Sequence, residues 1–162
     1  MKSAIIKTLV SVVAIVGATG VARAEMIGLY ECTNVGVVGE DAIGDQAGHN
    51  LISLEYFCTG VDGVIKGASH LGTLVSEWTG PKGTWISAVG VTRTVGGLAV
   101  TQALEGAGTA VIKDGKFIGV EAGGKAVFKF ASGSLAGLSG KTYNWSSKPA
   151  PGFGRSTLEL SD

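Results

Sequence analysis

His49 and His70 are the only histidines in the 162-residue chain, so any imidazole chemistry runs through them. A zinc site asks for three or four ligands, and Asp, Glu or Cys would have to complete a set begun by these two. Nothing in their spacing brings them together, and rim or surface histidines are the simpler reading. Gly67-Ala68-Ser69-His70-Leu71-Gly72 falls short of a nucleophile elbow, which needs Gly-x-Ser-x-Gly between a strand and a helix. On a strand, adjacent Ser69 and His70 point to opposite faces. Gly106-Ala107-Gly108 lacks the βαβ setting that gives a dinucleotide fingerprint its meaning. Neither a metal nor a cofactor is expected.

Polar residues set within apolar runs are the remaining candidates: Glu55, Glu77, Arg93, Gln102 and Glu105. On an inner face, a carboxylate would need a partner such as Arg93, because a buried unpaired charge is costly. Glu55, Arg93 and Gln102, with Trp78 and Trp85, are therefore candidate ligand-binding residues. Glu77 and Glu105 are the candidate acid/base groups, since desolvation raises a carboxyl pKa into a useful range. The competing reading puts each polar group on an outer face, in water.

Glycine punctuation describes the elements that would carry these residues. The 27 glycines separate short runs rich in Val, Ile, Thr and aromatics, without a sustained helical period. Ten runs read as strands: 27–32, 50–58, 70–78, 84–93, 98–105, 109–113, 116–122, 125–131, 141–146 and 155–160. Asp114-Gly115 between apolar runs signals a tight hairpin, because a type I′ turn needs positive φ at both central residues. Asp62-Gly63 repeats that chemistry, and Gly96-Gly97 and Gly123-Gly124 read as further reversals. In 125–131, Ala126, Phe128 and Phe130 share one face; in 98–105, small Ala99, Thr101 and Ala103 oppose Leu98, Val100 and Leu104. Small against bulky fits the taper of a small barrel. The fold class is all-β, a small antiparallel meander barrel of about eight strands, with a two-sheet sandwich as runner-up. Gly36–Gly48, with Glu40, Asp41 and Asp45, reads as a solvated loop; its spacing does not match a calcium loop.

The chain opens with Lys2 and Lys7, an apolar run over 8–22, and Ala22-Arg23-Ala24 before Glu25. Basic start, short apolar stretch and small residues form a secretory leader. Residues 1–24 are expected to be removed and 25–162 to form a single domain in the periplasm or outside the cell. Removal takes Lys2, Lys7 and Arg23 and leaves 10 basic against 13 acidic residues, net −3. That balance argues against nucleic acid and against electrostatic attachment to a membrane after leader removal. In an oxidising compartment Cys32 and Cys58 are expected to form a disulfide, stabilising the fold by about 3 kcal/mol in the chain-entropy model.

Lys125–Tyr143 reads as an apolar strand, Ser-Gly, then a Gly-x-x-Gly step into a further strand, preceded upstream by Gly106-Ala107-Gly108-Thr109-Ala110. This pattern resembles the late strands of the allene oxide cyclase and dirigent-like β-barrels. The resemblance covers about a quarter of the chain after the leader and implies a fold only, since no catalytic residue of the cyclases matches here.

Three functions follow from these readings. The first is an exported barrel holding a small apolar molecule in its interior. The second is a cyclase- or isomerase-type enzyme using that cavity, with Glu77 or Glu105 as acid/base. The third is a surface or matrix component that oligomerises through glycine-rich strand edges.

Overall fold

Asp114 and Gly115 both adopt positive φ, 51° and 74°, and Lys113 pairs with Lys116 across them. The expected tight hairpin is present. In the computed structural model, which describes residues 25–162, such turns link eight strands; the expected leader, residues 1–24, lies outside the described residues. The strands are β1 (Met26–Ala42), β2 (His49–Gly63), β3 (Ser69–Thr79), β4 (Lys82–Thr94), β5 (Gly97–Lys113), β6 (Lys116–Gly133), β7 (Thr142–Pro149) and β8 (Arg155–Ser161). Each pairs antiparallel with the next, and β8 pairs back onto β1, closing one ring. The chain is all-β, a closed meander rather than a sandwich.

Stagger shows how the ring closes. Following direct partners from Asn50 runs through Trp78, Gly83, Gly108, Ala122, Ser147, Leu158 and Tyr30, and returns to β2 at Gly60. Arriving further along the same strand means the strands are tilted to the axis. Tilt and alternation together decide which side chains face inward.

The inner face carries aromatics set against glycines. One inner row reads Cys32, Cys58, His70, Thr92, Ala99 and Ala131, all buried. Gly72 lies under the ring of Tyr56, Gly90 under His70 and Gly83 under Trp78. A Cβ on Gly106 would stand 2.7 Å from Trp145 Cζ2 and 2.8 Å from Trp85 Cγ. Phe128 and Tyr143 pack with ring centroids 4.4 Å apart. Ile65 and Ala68, from the β2–β3 loop, and Leu135, beside the 3-10 turn Ala136–Leu138, are buried in the same core. The inner face of β5 is the small one, Ala99, Thr101 and Ala103, leaving room for these rings.

Cys32 and Cys58 are direct cross-strand partners joined by a disulfide, with Cα atoms 4.0 Å apart. The expected staple is in place.

Several local expectations are corrected. Ten runs become eight strands because β5 and β6 pass straight through Gly106–Gly108 and Gly123-Gly124. Gly106 and Gly124 are paired across strands, and their lack of side chains makes room for Trp85, Trp145 and close backbone approach. Gly96-Gly97 does reverse the chain. Asp62-Gly63 ends β2 without making a two-residue hairpin: only Gly63 has positive φ, and Asp62 Oδ1 accepts a hydrogen bond from the Gly63 N–H. The segment read as a loop from Gly36 instead continues β1 to Ala42, paired with Asn50, after an irregularity between Val35 and Gly39. Phe130 leaves the face of Phe128 because the register slips there: Phe130 opposes Val100 and Phe128 opposes Thr101, putting Phe130 on the surface.

Candidate functional site

The expected site residues separate into two sets. Trp78 and Trp85 face inward and form a file with Trp145, with centroids 6.4 Å and 5.7 Å apart. Glu55, Arg93, Gln102 and Glu105 stand exposed on the outer face and do not line the interior. Their alternation partners Tyr56, Thr92, Thr101 and Gly106 take the inner positions. Glu77 also faces outward, and of the expected polar residues it alone is built into a defined arrangement.

Inside the ring, the polar groups are ordered around His70. Its Nδ1 lies 2.9 Å from Thr92 Oγ1, which lies 2.9 Å from the Tyr30 hydroxyl. Burial lowers the His70 pKa to about 4 and raises those of Tyr30 and Tyr56 to about 12. Every group in this chain is therefore neutral at pH 7. With Tyr30 donating to Thr92 and Thr92 to His70 Nδ1, the two hydroxyls and Nδ1 are paired, and the imidazole proton sits on Nε2. The Tyr56 ring stacks on His70 at 5.7 Å. The rest of the interior is aromatic and tightly packed, and one buried donor on the inner face, Trp145 Nε1, has no hydrogen-bond partner among the described residues.

On the outer face, His49 is held between two carboxylates. Its Nδ1 lies 2.6 Å from Asp45 Oδ1 and its Nε2 2.7 Å from Glu77 Oε1. A carboxylate only accepts, so both contacts are hydrogen bonds when both ring nitrogens carry protons, the cationic form that two carboxylates favour. The bond to Asp45, then that to Glu77, raises the His49 pKa, and the His49 bond lowers that of Asp45. The clasp ties the β1–β2 connection to β3. Asn50 Nδ2 donating to Glu40 Oε1 at 2.8 Å and Ile43 N–H donating to the His49 carbonyl at 2.9 Å fasten the same hairpin.

Glu77 is shared with a cleft of about 690 Å³. Two outward-facing rows cross the strands here. Glu77, Thr84, Ala107, Gly123 and Ser146 are successive partners, as are Thr79, Lys82, Thr109 and Glu121, with Lys148 beyond. The backbone of Gly83, Gly108, Ala122 and Ser147 lies between the rows. The walls carry alternating charge along the strand order: Glu77 on β3, Lys82 on β4, Glu121 on β6 and Lys148 on β7. Among the described residues the only ion pairs are the two made by His49, so Lys82, Glu121 and Lys148 form no contact ion pair. A second cleft of about 340 Å³ lies on the outer face over the disulfide, lined by Glu31, Thr33, Phe57, Thr59 and Arg155.

Reading along the chain missed Lys82, Glu121 and Lys148, which stand on three different strands. It also missed Asp45 as the partner of His49, although their spacing of four residues was the one available signal.

Searches against protein families, curated proteins and solved structures find no match to this chain. Among the described residues no helix is long and apolar enough to cross a membrane.

Proposed function

We propose that this is an exported binding protein whose outer-face cleft takes a small zwitterionic solute, of the size of a free amino acid or short peptide. The observation that carries the reading is the set of opposite charges without contact ion pairs at Lys82, Glu121 and Lys148 around a floor of small residues. A ligand with a carboxylate and an ammonium complements both signs at once, where a simple anion or cation would meet repulsion. Thr79, Thr84, Thr109 and Ser146 supply hydroxyls that donate or accept. The cleft lies within the usual size range of ligand sites, about 300–1,000 Å³.

Sequence and disulfide together support an exported location. The leader-like residues 1–24 and the Cys32–Cys58 bridge both fit an oxidising compartment, the periplasm or the exterior. The apolar ligand expected in the interior gives way to a polar one outside, because Trp78, Trp85, Trp145, Tyr56 and Phe128 occupy the inner face. The clasp favours binding over acid/base catalysis: both His49 nitrogens are already engaged, leaving no lone pair to take a proton from a substrate.

Thermal-shift screening of the purified chain against free amino acids and dipeptides, beside their amidated and acetylated forms, tests the reading. A zwitterion should stabilise the protein, its charge-blocked form should not, and Lys82→Ala or Glu121→Gln should remove the shift. Equal response to blocked and unblocked forms would overturn it.

A further inference from the structure

The hairpin Val111–Ile118 stands clear of the ring. On the β5 side, the register with β4 ends at Thr109 and Lys82, and just beyond it the Ala110 N–H donates to the carbonyl of Pro81 in the β3–β4 turn at 2.8 Å. On the β6 side, the register with β7 ends at Ala122 and Ser147, and Pro149 lies beside Gly119, where an added Cβ would stand 3.0 Å from its ring. Between those ties Ile112 pairs with Phe117, and Ile118 is the unpaired residue of the register shift. These three side chains are 58%, 55% and 43% exposed, apolar groups on the part of the β5–β6 ribbon that extends past its partners in β4 and β7. Lys113 and Lys116 flank them at the turn, with Asp114 between, so the tip carries a net single positive charge. Because β6 and β7 are adjacent, the β7–β8 loop emerges beside this ribbon at the same end of the ring. It carries Phe153, 97% exposed, followed by Arg155.

We infer that this end of the molecule docks on an anionic phospholipid bilayer, with Ile112, Phe117, Ile118 and Phe153 entering the interfacial layer and Lys113 and Lys116 resting among the headgroups. The shape selects the partner. Two projecting apolar tips leave gaps against a rigid protein face, whereas a fluid interface closes around each of them. Charge agrees locally, since Lys113, Lys116 and Arg155 beside the apolar residues outnumber Asp114 where phosphates would meet them. Net charge argued against attachment by electrostatics alone; here apolar insertion supplies the drive and the lysines bias it toward anionic lipid. The acidic β1–β2 connection, with Glu40, Asp41 and Asp45, opposes anionic lipid and tilts the docked molecule onto its β5–β6 side.

The test is co-sedimentation of the purified chain with vesicles of phosphatidylethanolamine and phosphatidylglycerol, 3:1, and with vesicles of phosphatidylcholine alone (about 100 nm in both cases). Binding is expected to the first, with Ile112→Ser/Phe117→Ser weakening it roughly tenfold or more and Phe153→Ser weakening it less. Lys113→Gln/Lys116→Gln should remove the preference for phosphatidylglycerol while leaving residual binding. Unchanged circular dichroism would show that these exposed substitutions leave the ring folded. Failure of the wild type to sediment, or equal sedimentation of the serine variant, would overturn the inference. So would loss of a protein oligomer in the serine variant without any vesicle binding by the wild type, which would make the tip a protein interface.

Discussion

Gly123 and Gly124 are neighbours in sequence, and substituting each by alanine separates a strand from a turn. In the structure they face opposite sides of β6. A Cβ on Gly124 would collide with the Glu105 carbonyl and stand 2.8 Å from Gly106 Cα, both backbone atoms of the paired strand. Relief requires β5 and β6 to separate at the Gly106–Gly124 pair, where Trp85 and Trp145 also pack. Overpacking of this kind costs about 3 kcal/mol, the upper part of the usual range, because backbone cannot rotate aside as a side chain does. A Cβ on Gly123 meets only the Trp145 carbonyl, at 3.2 Å, which a small adjustment relieves. Gly124→Ala should therefore lower the midpoint of thermal unfolding by roughly 10 °C, and Gly123→Ala by no more than about 2 °C. Differential scanning calorimetry at fixed protein concentration reads both. Similar losses for the two variants, or a stable Gly124→Ala, would refute the close strand approach.

Further outcomes follow from the core and the clasp. Cys32→Ser/Cys58→Ser should cost about 3 kcal/mol in urea unfolding, as removal of a bridge spanning 26 residues implies. The two imidazoles should titrate in opposite directions by NMR: His70, lowered to about 4 by burial, stays neutral until the pH is well below that of an ordinary histidine, whereas His49 holds its proton above the ordinary value. The signs for stability follow. His70 removes stability as pH falls from about 6.5 toward 4, because the unfolded chain takes up the proton first. The clasp contributes fully below the ordinary histidine pKa and weakens as pH rises through the raised value of His49. Its Asp45 share is lost only on acidification below the ordinary carboxyl range. His49→Gln should abolish the alkaline loss while leaving the acidic one attributable to His70.

The hairpin at Asp114-Gly115 and the cysteine pair were legible because each depends on local chemistry or on a count of two. Glycine was ambiguous for a physical reason. The same residue reverses a chain at Gly96 and leaves room for a ring at Gly106, and only the distant partners Trp85 and Trp145 distinguish the cases. Phe130 was assigned to the wrong face because alternation holds only while register holds, and one slip in β6 reverses it. The outward polar residues Glu55, Arg93, Gln102 and Glu105 could not be oriented without knowing which face of each strand is buried. The clasp joins His49 to Glu77 across 28 positions, and the cleft gathers Lys82, Glu121 and Lys148 by cross-strand order, so no spacing along the chain announces either.

The most direct measurement is amide shift mapping of the isotopically labelled protein on titration with an equimolar mixture of free amino acids. Binding at the outer cleft should move the signals of Gly83, Thr84, Gly108, Gly123 and Ser147, leaving those of Tyr56, Ala99 and Phe128 still. Movement concentrated at the inner-face residues, or no movement at any of these positions, would contradict the placement of the binding surface outside the ring.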